Sequence, residues 1–95
     1  MNISFNEWSR DRIMRGMKSC TSRHRKYTKD PLVTEISNKL CWGFIRLVFW
    51  QREGAVSPEE LQKVIDEIYR RHVPDMEEFY VHFFDNKKMQ ERLKK

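Results

Sequence analysis

The stretch from Leu40 to Arg52 constrains the architecture more than any other. Leu40, Trp42, Phe44, Ile45, Leu47, Val48, Phe49 and Trp50 leave little of a helical wheel polar, and Arg46 is the only charge before the closing Arg52. An element with that much apolar surface must be enclosed by others, and 95 residues supply one domain to do it. The run fits a buried helix or two strands. The spacing of Leu40, Phe44, Leu47 and Val48, and a length beyond that of one strand, favour the helix. At least one of Trp42 and Trp50 then belongs to the core rather than to a base-stacking platform. The run is far shorter than the roughly 20 apolar residues of a membrane-spanning helix. The N-terminus lacks the charged, apolar and small-residue succession of a secretory signal, so no membrane contact and a cytoplasmic location are expected.

Other elements are read outward from this run. Ser57-Pro58-Glu59-Glu60 opens the clearest helix: Ser57 as N-cap, Pro58 at the first helical position, Glu60 completing a capping box, and Leu61, Val64, Ile65, Ile68 and Tyr69 as its buried stripe. Pro74 ends it. Phe79 to Phe84 is apolar on both faces and predicts a strand inside a sheet. Upstream, the alternation of Ile3 and Phe5 predicts a short half-buried strand. Asn6 then caps a helix, with Glu7 in its first turn, that Gly16 ends. Ser19 to Arg23 predicts a strand with Thr21 and Arg23 on one face and Cys20 and Ser22 on the other. His24 to Pro31 reads as a surface loop, Leu32 to Ile36 as a strand, and Ser37-Asn38 as a turn or cap. The last eleven residues carry five basic and two acidic side chains and read as a frayed helix or tail. The resulting order is strand, helix, strand, strand, helix, helix, strand. This describes an α+β domain over residues 1–84, with a basic C-terminal tail over 85–95.

Charge is unevenly distributed. Residues 10–29 hold eight basic side chains against Asp11, a net of +7, whereas residues 53–78 hold eight acids against three bases, a net of −5. The basic segment, with His24 and Tyr27 in it, suits contact with a phosphate backbone. The plainer alternative is a solvated face paired with the acidic half of the same fold. Two cysteines, Cys20 and Cys41, make neither a zinc knuckle nor a disulfide framework and read as free thiols. Cys20, inside the basic segment, is better explained as a small packed residue than as a nucleophile. His24, His72 and His82 lack metal-ligand spacing, and His82 reads as a strand histidine with satisfied hydrogen bonds. No glycine-rich phosphate loop is present, so neither a metal nor another cofactor is expected.

Four groups of residues together resemble one family. Phe5-x-x-Trp8-Ser9-Arg10-x-Arg12-Ile13, Gly16-x-Lys18-x-x-Thr21-x-Arg23, Glu53-Gly54 ahead of Ser57-Pro58-Glu59-Glu60-Leu61, and Tyr80-Val81-His82-Phe83 are similar, in that order, to an ASCH domain of the PUA-like superfamily. The resemblance covers about residues 3–84 and implies a small PUA-like β-barrel with three or four helices. It also implies a cleft for RNA or nucleotide-like ligands. Only sixteen residues separate Arg23 from Leu40, where many members have more barrel strands, so the barrel is expected to be short or incomplete. A second copy could close it, and the last apolar strand would be a possible edge.

The resemblance places the family's pocket lysine, threonine and arginine at Lys18, Thr21 and Arg23, and its acidic partner at Glu53. Two functional classes follow. In the first, the protein binds RNA or a nucleotide-like ligand, with Lys18, Thr21, Arg23, Arg25, Lys26 and Arg10 as contacts and an unstacked base in the cleft. In the second, suggested by family members that are acetylcytidine amidohydrolases, Lys18, Thr21 and Glu53 act together. There a desolvated lysine assists a threonine hydroxyl or a water, and the glutamate holds or relays a proton. Against both stands a fixed ion cluster, in which Lys18 and Arg23 pair with Glu53 and other acids and no ligand binds; a plain protein-interaction domain is a third functional class.

Overall fold

Helix boundaries follow the local chemistry closely. In the computed structural model, which describes residues 1–95, the Asn6 side chain accepts from the Ser9 N–H and starts α1 (Glu7–Met14). The chain leaves α1 through Gly16 at φ +77°, a left-handed turn that a side chain would oppose. Ser57 accepts from Glu60 N–H and starts α3 (Pro58–Tyr69). Glu60 reaches back to the Val56 N–H at 2.8 Å rather than to Ser57, closing the capping box one residue earlier. Between these helices lie β1 (Cys20–Arg23), β2 (Val33–Cys41) and α2 (Trp42–Phe49); β3 (Glu78–Phe84) and α4 (Asn86–Leu93) follow.

The three strands form one antiparallel sheet in the order β1-β3-β2. β3 is central, as its two apolar faces require, and it is therefore not an edge; β1 and β2 are the edges. They do not pair with each other, so this α+β fold has an open sheet flanked by four helices and not a closed barrel. A rudimentary fourth partner lies beside β1. Lys18 and Glu53 form an isolated antiparallel bridge, and the Arg52 carbonyl accepts from the Ser19 and Cys20 N–H groups at 2.7 and 3.1 Å.

Alternation along β3 sends Phe79 and Val81 to one face and Phe84 to the other. The first face carries the main core, where Cys20, Phe79 and Val81 meet Trp42, Ile45, Leu61, Ile65 and Val73. The second face carries a smaller cluster of Ile13, Phe84 and Met89, closed by α1 packing against α4.

Four expectations are corrected. Ile3 to Phe5 is not a strand. The Ile3 N–H donates to Asp30 Oδ2 at 2.9 Å and its side chain is buried, so the alternation reflects an anchored segment without a ladder. β2 runs through Ser37-Asn38 to Cys41, with irregular register between Val33 and Glu35 and between Ile36 and Lys39; the expected turn is absorbed as a bulge. α2 is eight residues long and buries only part of its circumference. Trp42 and Ile45 are fully enclosed, whereas Phe44, Leu47 and Val48 are 48, 63 and 53% exposed, because α2 has partners on one side only. The C-terminal residues are part of the fold rather than a tail. The Asp85 side chain caps α4, Met89 is buried, and Arg92 binds both oxygens of Asp30 at 2.9 and 2.6 Å. No helix is long and apolar enough to cross a membrane.

Candidate functional site

The open edge of β1 borders a cavity of about 380 Å³, within the size range of small-molecule sites. The N-terminal segment and α1 contribute Ser4, Phe5 and Trp8; β1 contributes Thr21, Ser22 and Arg23; α3 contributes an aliphatic wall and Tyr69. Lys18 and Glu53 form its polar end.

Backbone geometry delivers Lys18 to that end. After the Gly16 turn, the bridge to Glu53 fixes its strand-like pairing. The Asn86 amide donates to the Lys18 carbonyl at 2.7 Å and to the Ile13 carbonyl at 3.0 Å, tying the end of α1 to the start of α4. Gly54 has φ +95°, and a Cβ there would lie 2.9 Å from Arg12 Cβ and 3.1 Å from Lys18 Cβ. The glycine thus leaves the space Lys18 occupies.

Lys18 and Glu53 are 2 and 4% exposed. Lys18 Nζ donates to Glu53 Oε1 at 3.1 Å and to the Glu53 carbonyl at 3.0 Å, while Ser22 Oγ donates to Glu53 Oε2 at 2.5 Å. Each carboxylate oxygen therefore has its own donor, as a buried charge requires. Thr21 Oγ1 lies 3.4 Å from both Arg23 Nε and Nη2. Arg23 Nη2 also donates to the Ser4 carbonyl at 2.9 Å, and its guanidinium sits 5.5 Å from the Phe5 ring centroid. The Arg12 guanidinium and the Lys18 ammonium lie 4.9 and 5.9 Å from the Trp8 ring. Lys18 is neutralised by Glu53, but no carboxylate pairs with Arg23. Arg23 is therefore the uncompensated cation of the cavity.

The structure brings Lys18, Thr21, Arg23 and Glu53 together and leaves Arg10, Arg25 and Lys26 outside. Arg10 is exposed on α1. Arg25 lies over the Tyr27 ring at 4.7 Å, and Lys26 over Tyr80 at 5.3 Å, with Lys39 at 5.9 Å from the same ring. They form a separate basic and aromatic surface. Pairing with the acidic half accounts for Arg12, which meets Glu60 at 3.4 Å, and His24 Nε2 lies 2.7 Å from Glu77 Oε2. Glu77 is held down to about 2, above all by hydrogen bonding to Arg71, against the raising effect of burial and with further help from His24.

Ser22 was not identified by sequence reasoning, since strand alternation assigns it to the face opposite Thr21. Both reach the cavity because β1 is an edge. The signal that would have found it is a small hydroxyl on the core-facing side of a strand, next to a carboxylate with no other buried donor for its second oxygen. Tyr69 is legible in the sequence only as a packing residue of α3, and Trp8 only as part of the N-terminal motif. Cys20 belongs wholly to the core; burial, and then the nearby Glu53 carboxylate, push its thiol far above the ordinary range, which removes the thiolate. His82 donates or accepts at both ring nitrogens, to the Tyr80 carbonyl and from the Tyr27 N–H, each at 3.0 Å, and burial lowers its pKa. No cluster of three or more His, Cys, Asp or Glu side chains converges as a metal site would. Compared with protein-family models, with curated proteins and with solved structures, the chain gives no match.

Proposed function

We propose that this protein is a short ASCH-like, PUA-like module that binds a nucleotide-like ligand or an unstacked RNA base in the cavity beside β1. One observation carries the reading: Arg23, a half-buried guanidinium without a carboxylate partner, stands in a cavity of about 380 Å³ that also holds Phe5, Trp8 and Tyr69. The bonds of Arg23 to the Ser4 carbonyl and Thr21 Oγ1 leave its charge uncompensated, which suits a phosphate, and the rings suit the faces of a base. The Lys18–Glu53 bridge, as the start of a fourth strand, supports the comparison with an incomplete barrel. Arg25 and Lys26, with Tyr27 and Tyr80 beneath them, extend the contact to a longer RNA. A cytoplasmic location accompanies this reading.

Calorimetric titration with cytidine monophosphate, and with a short single-stranded pyrimidine RNA at low and moderate salt, tests it. Binding of both is expected, with RNA affinity falling steeply as salt rises. Arg23→Met should weaken the nucleotide by about tenfold or more, or about 1.4 kcal/mol. Absence of binding, or RNA affinity indifferent to salt, overturns the reading.

A second reading, a small amidohydrolase acting on acetylcytidine-like nucleosides, is favoured by the contact of Lys18 Nζ with Glu53 Oε1 beside Thr21 in the same cavity. Incubation with N4-acetylcytidine and chromatography for cytidine decides it. Turnover that falls in Glu53→Gln supports it; no release of cytidine rejects it.

A further inference from the structure

We propose that Ser22, rather than Thr21, is the hydroxyl that accepts the acyl group at this site. The inference rests on the hydrolytic reading and adds to it a residue and a role. Of the hydroxyl side chains that line the cavity, those of Ser4, Ser9, Thr21, Ser22 and Tyr69, only that of Ser22 touches the carboxylate, donating to Glu53 Oε2 at 2.5 Å. The other oxygen of Glu53 is fixed by Lys18 at 3.1 Å. A nucleophile, a proton acceptor and the cation that orients the acceptor are thus in direct contact, as activation of a hydroxyl requires. Thr21 Oγ1 has only the Arg23 guanidinium near it, at 3.4 Å, and a guanidinium cannot take a proton.

Lys18 spends two of its three N–H donors on the Oε1 and carbonyl oxygens of Glu53. The third is available for an oxyanion, and Arg23 lines the same cavity. Leu61, Val64, Ile65 and Ile68 of α3 line the same cavity and offer an aliphatic surface to the apolar part of an acyl group.

The step balances without any further reactant. Ser22 Oγ forms a bond to the amide carbonyl carbon while its proton passes to Glu53 Oε2, and the π electrons move to the carbonyl oxygen. When that oxygen re-forms its double bond, the carbon–nitrogen bond breaks and the nitrogen leaves with the proton held by Glu53. This leaves an ester on Ser22 and a free amine. Water then adds to the ester carbonyl, giving a proton to Glu53. The carbon–Oγ bond breaks, Ser22 recovers that proton, and the acid departs. The sum is amide plus water to amine plus carboxylic acid.

The test is to mix the full chain with N4-acetylcytidine, follow cytidine, and map any acetyl adduct by mass spectrometry after rapid acid quenching. Ser22→Ala is expected to lower kcat by about a hundredfold or more, and the wild-type adduct is expected on Ser22. Because Ser22→Ala also strips Glu53 of a buried donor, Ser22→Cys serves as the second variant. It keeps a nucleophile in place and is expected to retain the acetyl as a thioester that hydroxylamine releases. Thr21→Val should raise KM as a ligand contact yet still acylate at Ser22. Turnover with the adduct on Thr21, or folded Ser22→Ala turning over at the wild-type rate, overturns the role of Ser22 and leaves the hydrolytic reading standing. No cytidine release by the wild type overturns both.

Discussion

Replacing Lys18 with methionine isolates the energetics on which the site depends. The side chain is similar in length and apolar, so the change removes the ammonium with little change of volume. At 3.1 Å from Glu53 Oε1 and an effective dielectric of roughly 20, the lost attraction is about 5 kcal/mol. The carboxylate stays behind, 4% exposed, with Ser22 as its remaining side-chain donor. Breaking one side of such a pair costs about 3–5 kcal/mol, against a total stability of roughly 5–14 kcal/mol for a domain of this length.

Urea unfolding followed by tryptophan fluorescence measures the effect, since Trp42 is buried and Trp8 borders the site. Lys18→Met should shift the midpoint sharply downward at an unchanged m-value. The double variant Lys18→Met/Glu53→Leu should recover most of the loss, because an apolar pair of similar volume needs no desolvation. It should stop short by about 1–3 kcal/mol for the Ser22 hydroxyl, which loses its acceptor. If Lys18→Met changed stability by less than about 1 kcal/mol, or the double variant lost the sum of both single effects, the argument from a buried and mutually dependent pair would fail.

Three further outcomes are expected. Burial tends to raise the Asp30 pKa, but hydrogen bonds from Arg92 and from the Ile3 and Leu32 N–H groups outweigh it and hold the carboxyl down to about 2. Its contribution to stability is therefore complete above its ordinary value of 3.8 and lost as pH falls toward 2. In thermal melts, Asp30→Asn should lower stability at neutral pH by about 1.5–3 kcal/mol and flatten the decline between pH 4 and 2. Gly54→Ala must accept φ +95° and a Cβ 2.9 Å from Arg12 Cβ; it should cost on the order of 1–3 kcal/mol in urea unfolding and displace Lys18 in a crystal structure. Asn86→Ala should lower stability by about 1–3 kcal/mol by stranding the Ile13 and Lys18 carbonyls. Hydrogen exchange should then show faster opening at the end of α1 and in α4.

What the sequence made legible is what local chemistry decides. Ser57, Pro58 and Glu60 specify the start of α3 through bonds that span four residues at most, and the two apolar faces of β3 require neighbours on both sides whatever the topology. The Leu40–Arg52 run shows the limit. Its residues state how much surface is apolar, but the other elements determine how much is covered, and α2 has a partner on one side only, leaving Leu47 and Val48 in solvent. Ile3 and Phe5 alternate like a strand, yet the Ile3 N–H finds a carboxylate 27 residues away. α4 offered only Met89 and Leu93 as apolar signals; the Asp30–Arg92 contact and the Asn86 bonds that hold it span 62 to 73 residues. Such contacts carry no periodicity and leave no local trace.

The same distinction bears on the candidate site. Lys18, Thr21 and Arg23 were legible as a spacing, and Glu53 as a distant partner, but only the three-dimensional arrangement separates their charges. It neutralises Lys18, leaves Arg23 uncompensated and gives Glu53 a hydroxyl donor in Ser22. A domain that needed only stability would gain as much from an apolar pair of equal volume at positions 18 and 53, and would have no use for a cavity beside it. A fixed ion cluster accounts for the hydrogen bonds. It does not account for a cavity of about 380 Å³ whose wall holds Arg23 without a carboxylate partner, and this is the feature on which the proposed binding of a phosphate rests.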